Sequence, residues 1–194
     1  MDVLIIGSYG REHALAWKLR QSGACGKIYI APGNAGTALE GENVELDIKN
    51  NQAIVDFCKK KNVGLAVVQT DDYLAQGMVD ALQKAGIYAF GATQAASKLE
   101  WSKAFAKDFM KRHGIPTASS QTFNSLDAAL AYAASEELPI VIKADGLALG
   151  KGVVIAHTKE EAEKTLRSFM SGELFGNSGT TVVIEEFLQG REVS

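Results

Sequence analysis

The sequence predicts an α/β protein: a parallel sheet with helices on both faces, followed by a smaller α+β domain. Three observations predict it. Short apolar runs recur through the first hundred residues, and they read as strands buried on both faces. Helical patterns separate those runs, which is the rhythm of βαβ units. Beyond a Gly-Ile-Pro break at 114–116 the rhythm changes to paired strands with interspersed helices.

The elements follow in order. Residues 3–7 read as a buried strand, and 11–21 as a helix with Ala14, Leu15 and Leu19 on one face, ended near Gly23. A second strand covers 27–31. An Asn50-Asn51 cap signal opens a helix over 52–61, and 63–68 is a third strand. A single helix is expected over 74–84, stopped by Gly86, before a fourth strand at 87–90. Ser102 caps a helix reaching His113, with Phe105, Phe109 and Met110 as its apolar stripe. A strand at 121–123, a helix over 126–134, two strands around residue 147, a helix over 159–171 and a strand at 181–187 complete the chain.

Composition excludes several classes. At 194 residues the chain can bury a real core. The net charge of −3, with basic and acidic groups spread evenly, leaves no basic stripe for nucleic acid. Lys59-Lys60-Lys61 falls at an expected helix end, where cations suit the dipole. Cys25 and Cys58 form no CxxC pattern, and His13, His113 and His157 lack metal-type spacing. No apolar run approaches membrane length. The expectation is a cytoplasmic protein with no membrane or nucleic-acid partner.

The richest stretch runs from Pro139 to Ala156, where Lys143 and Lys151 flank a loop punctuated by Gly146, Gly150 and Gly152. Strand, flexible loop and strand would let backbone amides and ammonium groups close over phosphates. The spacing is not that of a Walker A loop, which needs four residues between its glycines and a helix after its lysine. A glycine-rich turn with two solvated lysines accounts for the loop equally well.

Three turns of the expected parallel sheet also carry polar groups. Gly7-Ser-Tyr-Gly-Arg-Glu-His13 is not a dinucleotide fingerprint, because Tyr9 and Glu12 stand where small residues are needed. What remains is a helix N-terminus with Gly10 and Arg11 in its first turn, which favours an anion. Gly33-Asn34 follows the second strand, as a ligand loop or a plain turn. Asp71-Asp72 follows the third, where at least one carboxylate is expected to cap the next helix. Near the C-terminus, Glu185 and Glu186 fall on opposite faces of a strand. The backbone of that edge suits an adenine and Glu192 suits ribose hydroxyls, although solvated glutamates are the commoner reading.

Together, GSYGREHALAWKL (7–19), APGNAGTA (31–38), LEWSKAFAKDFM (99–110), GIPTA (114–118), VIKADGLALGKGVV (141–154) and VIEEFLQGREVS (183–194) resemble the glycinamide ribonucleotide synthetases. These are phosphoribosylamine–glycine ligases of the ATP-grasp superfamily. The resemblance implies a Rossmann-like pre-ATP-grasp domain over 1–101, a connecting helix and linker over 102–118, and an ATP-grasp lid subdomain over 119–194. It implies ATP-dependent joining of glycine to 5-phosphoribosylamine through glycyl phosphate, in purine biosynthesis. Lys103 and Lys143 would hold ATP phosphates, and Gly150, Lys151 and Gly152 would close over them. Glu185, Glu186, Phe187 and Leu188 would form the adenine hinge, and Glu192 would bind ribose. Gly10, Arg11, Glu12, Gly33, Asn34 and Asp71 would serve phosphoribosylamine.

The cofactors implied are ATP with Mg²⁺ or Mn²⁺. Metal ligands are expected beyond Ser194, because family members are roughly twice this length and their site lies between two lobes. The full enzyme is expected to be a monomer, and the present chain to be an N-terminal part that needs a C-terminal partner segment for amide formation. Tyr9, where relatives have Gly, and Gln69-Thr70, where they have Gly-Pro, depart from the family pattern. Another ATP-grasp carboxylate–amine ligase, or a non-catalytic nucleotide-binding or partner module, are the alternatives.

Overall fold

The structure is a computed structural model that describes residues 1–147, 152–172, 174, 180–191 and 193. The chain divides into two compact units, Met1–Ser97 and Lys98–Ser194.

The first unit is a five-stranded parallel sheet. Its strands are β1 (Asp2–Gly7), β2 (Ile28–Pro32), β3 (Glu42–Asn43), β4 (Val63–Val68) and β5 (Ala89–Phe90), in the order β3-β2-β1-β4-β5. The central strands read as unbroken apolar runs because both faces are covered. Val3 and Ile5 of β1 meet Ala16 of α1 (Gly10–Arg20) in one core. Leu4 and Ile6 meet Ile54 of α2 (Asn51–Lys61) and Leu82 of α4 (Met78–Lys84) in the other. Alternate residues of one strand thus feed two cores. Asn50 caps α2 as the sequence predicts, accepting from the N–H groups of Gln52 and Ala53.

Three features depart from expectation. The single helix expected over 74–84 is two, α3 (Asp71–Ala75) and α4, because Gly77 sits at φ +76°, a left-handed conformation that breaks the ladder. A helix α5 (Gln94–Trp101) was not expected. Its signal was a lone threonine: Thr93 accepts from the N–H groups of Ala96, through Oγ1, and Ser97. The two-residue β3 carries too little pattern to be read.

The second unit pairs β6 (Ser120–Phe123), β7 (Ile140–Ala144), β8 (Val153–Ala156) and β9 (Val182–Glu186) in an antiparallel sheet of order β6-β9-β7-β8. The helices α7 (Leu126–Ser135) and α8 (Lys159–Met170) cover one face. There Ala129, Ala133, Leu166 and Phe169 pack on Ile140, Ile142, Val182 and Ile184. Helix α6 (Lys103–Arg112), within the stretch expected as a connector, packs on β9 of this unit. No helix among the described residues is long and apolar enough to cross a membrane.

Leu166 is fully buried under the second sheet. Leu166→Ala is expected to destabilise the protein by about 3 kcal/mol, read as a lower urea midpoint with the slope unchanged.

Candidate functional site

Strand alternation sets the polar face of the second sheet. Ile140, Ile142 and Ala144 of β7 are buried with the helices, so Val141 and Lys143 take the opposite face. On β9 the same rule places Val183 and Glu185 there. The register sets Glu185 opposite Val141, which brings Lys143 diagonally within reach. Lys143 Nζ donates to Glu185 Oε2 at 2.8 Å. From α6, Lys107 Nζ lies 3.3 Å from the same oxygen and donates to Thr117 Oγ1 at 2.8 Å and the Ala118 carbonyl at 3.0 Å.

Glu185 is 5% exposed, and its Oε1 is buried without a hydrogen-bond partner. An isolated carboxylate at that depth is expensive, and two ammonium groups on one oxygen offset the cost. Beside them lies a groove of about 660 Å³, lined by Lys107, Lys111, Pro116, Ser119 and Gln121 among others.

The first turn of α6 is tied to the loop after β7. Asp145 accepts from Ser102 Oγ at 3.2 Å and from the Ala104 N–H at 3.1 Å, an anion at a helix N-terminus. Ser102 Oγ also accepts from the Phe105 N–H, the capping read from sequence. Lys103 Nζ donates to the Gly146 carbonyl at 3.0 Å. Burial lowers the Lys103 pKa and the nearby Lys143 charge lowers it further, against Asp145, Glu100 and Glu185, which raise it. Lys103, Lys107 and Lys143 thus gather three ammonium groups on this face, among the carboxylates of Glu100, Asp145 and Glu185.

The sequence-predicted residues therefore part into groups. Lys103, Lys143 and Glu185 come together. Gly152 closes the neck of the hairpin, its carbonyl accepting from the Ala144 N–H at 2.8 Å. Gly150, Lys151 and Glu192 lie outside the described residues. The strand ending at Glu185-Glu186 is not an edge, because β9 lies between β6 and β7. Glu186 is tied to Ser119 both ways, its N–H donating at 3.0 Å and its Oε1 accepting at 2.7 Å. Past the strand, Phe187 is half-buried and Leu188 exposed. Lys107 and Asp145 were missed. The signal for Lys107 was its four-residue spacing from Lys103, which places both on one helix face.

In the first unit, the loops after β1, β2 and β4 share the carboxyl edge, and strand order reverses at β1. Ligands of open α/β sheets collect at such a switch point. Gly10 and Arg11 are exposed there, in the first turn of α1. Glu12 differs from an exposed ligand contact: it is fully buried, and its Oε2 accepts from the Tyr9 N–H at 2.9 Å, so it shapes the turn, while its Oε1 is buried without a hydrogen-bond partner.

Asn34 braces two loops. Its Oδ1 accepts from Gly36 and Thr37, and its Nδ2 donates to the Ser8 carbonyl at 2.8 Å. Gly33 must be glycine, since φ is +72° and a Cβ would lie 2.2 Å from Asn43 Oδ1. Asp71 opens α3, but the cap position belongs to Thr70, so neither Asp71 nor Asp72 is the cap expected. No group of three or more His, Cys, Asp or Glu among the described residues gathers as a metal site.

Two family models match the chain end to end: phosphoribosylglycinamide synthetase, N domain, over residues 1–100, and phosphoribosylglycinamide synthetase, ATP-grasp (A) domain, over 101–194. The phosphoribosylamine–glycine ligase of Haemophilus influenzae is 52% identical over all of this chain and 46% of its own length. That of Vibrio parahaemolyticus is 53% identical over the same shares. The crystal structure of the Thermotoga maritima phosphoribosylamine–glycine ligase superposes with a TM-score of 0.81 at 33% identity, covering 98% of this chain and 45% of that one. The biotin carboxylase domain of a Hydrogenobacter thermophilus 2-oxoglutarate carboxylase shares the fold, with a TM-score of 0.76 at 17% identity over 96% of this chain and 44% of that one. The chain spans about half the length of the curated relatives it matches.

Removing the loop brace gives a direct check. Asn34→Ala strands two N–H groups and a carbonyl, and is expected to cost about 1–3 kcal/mol in urea unfolding. Arg11→Ala, at an exposed side chain, is expected to stay within about 0.5 kcal/mol.

Proposed function

The chain belongs to the phosphoribosylglycinamide synthetase family, and from that membership we propose that it serves the ATP-dependent ligation of glycine to 5-phosphoribosylamine. In this reading the second unit binds ATP and the first binds phosphoribosylamine. The observation that carries it is the cluster of Lys103, Lys107 and Lys143 around Glu185.

The chemistry asks for such a face. Glycine's carboxylate oxygen attacks the γ-phosphorus of ATP, and ADP leaves with the electrons of the broken P–O bond. The amine of phosphoribosylamine then attacks the carbonyl carbon of glycyl phosphate, phosphate departs and the amine proton is lost. Phosphoryl transfer depends on positioning and on neutralising phosphate charge. Lys103 and Lys143 supply ammonium groups from a helix and a strand, aimed by the Gly146 carbonyl and by Glu185. Gly150 and Lys151 extend that grip in this reading, with Phe187 and Leu188 toward the base and Glu192 toward the ribose. Gly10, Arg11, Gly33, Asn34 and Asp71 line the phosphoribosylamine side, where first-turn N–H groups of α1 suit a 5-phosphate.

Magnesium belongs to the same proposal. The described carboxylates do not gather to hold it: Asp145 is engaged by α6 and Glu185 by two lysines. The described residues do not form its site, and no step here runs through the metal. The setting proposed is cytoplasmic, consistent with two unpaired cysteines.

Calorimetric titration of the 194-residue chain with MgATP tests the nucleotide assignment. Lys143→Ala and Lys103→Ala are each expected to weaken binding about tenfold, the loss of one charge-assisted contact. Equal affinity in wild type and both variants would remove ATP from this face.

A further inference from the structure

Lys107 is given no contact with ATP in the reading above, yet it is the more buried of the two cations on Glu185: its side chain is 11% exposed, against 27% for Lys143. Both ammonium groups address one oxygen, Glu185 Oε2, at 3.3 and 2.8 Å, while Oε1 has no partner. Lys107 is anchored independently of the carboxylate by Thr117 Oγ1 and the Ala118 carbonyl. It is therefore a fixed charge, whereas Lys143 has Glu185 as its ion-pair partner and faces solvent.

We infer that Lys107 is a positioning residue: it shares the Glu185 carboxylate with Lys143, so that Lys143 is aimed by Glu185 without being locked to it. Two like charges on one carboxylate oxygen repel each other and each weakens the other's hold. The more solvated and less anchored partner, Lys143, is the one left available to an anionic ligand. Without Lys107, Glu185 would be a 5%-exposed carboxylate with a single counter-ion, and Lys143 would be committed to it. The consequence for ATP rests on the nucleotide reading above, but the arrangement itself can be tested without a ligand.

The test is residue-resolved acylation of lysines by acetic anhydride, followed by mass spectrometry, on the ligand-free 194-residue chain. Lys107→Gln keeps a donor for Thr117 and Ala118 but removes the charge. In it, Lys143 labelling is expected to slow roughly fivefold, because its ammonium becomes the sole partner of Glu185. Lys107→Arg restores the charge and is expected to return labelling to within about twofold. Unchanged or faster labelling in Lys107→Gln, or no rescue by Lys107→Arg, would overturn the inference.

A double variant guards against misfolding of Lys107→Gln, since Lys107→Gln/Glu185→Gln strands no carboxylate. Lys143 should then label as fast as in Glu185→Gln alone, within about twofold. A larger difference would mean that Lys107 acts on Lys143 by another route, and would overturn the inference too. None of these outcomes depends on nucleotide binding, so failure of the ATP reading would be seen separately.

Discussion

A carboxylate buried in the middle strand of a small sheet organises the second unit. Glu185 lies on β9 between two neighbours, at a depth where a lone charge would be costly. Its two lysines come from a different strand and from a helix, so the ion pairs fasten β7, β9 and α6 to one point. Lys107 extends that fastening to Thr117 and Ala118, and Asp145 locks the start of α6 to the turn after β7. The arrangement of lysines above the sheet follows from these ties: Lys107 and Lys143 are held by Glu185, and Lys103 by the Gly146 carbonyl.

The first unit uses a different device for a similar end. Its carboxyl edge is set by neutral hydrogen bonds, with Asn34 joining the loops after β1 and β2 and Glu12 folding back under its own helix start. Asn34 and one oxygen of Glu12 are engaged in shaping loops. Gly10 and Arg11 stay exposed at the start of α1.

Much of the fold was legible because it rests on local periodicity. The doubly covered strands announce themselves as apolar runs, and Asn50 and Ser102 announce their helices by side-chain chemistry. Gly77 was not legible as a helix break, because glycine inside an apolar stretch is tolerated as often as it interrupts. The two-residue strands β3 and β5 are defined by their neighbours, so tertiary pairing decides them.

The site was legible where it coincided with sequence blocks and obscure where it depended on partners distant in the chain. Lys103 and Lys143 stood out beside their motifs, but nothing local shows that Glu185, some forty residues beyond Lys143, binds it. Glu12 and Glu185 look alike in sequence as surface acids; both are buried, and their partners, the Tyr9 N–H for one and two lysines for the other, separate a loop brace from a charge hub. Position between strands likewise turned an expected edge at Glu186 into an interior one. The central claim is that the lysines around Glu185 are the phosphate grip. A crystal structure of the 194-residue chain with ADP tests it most directly. The account predicts phosphate oxygens within about 3.2 Å of Lys103 Nζ and Lys143 Nζ. Phosphates bound away from both lysines, with the Lys143–Glu185 pair undisturbed, would contradict it.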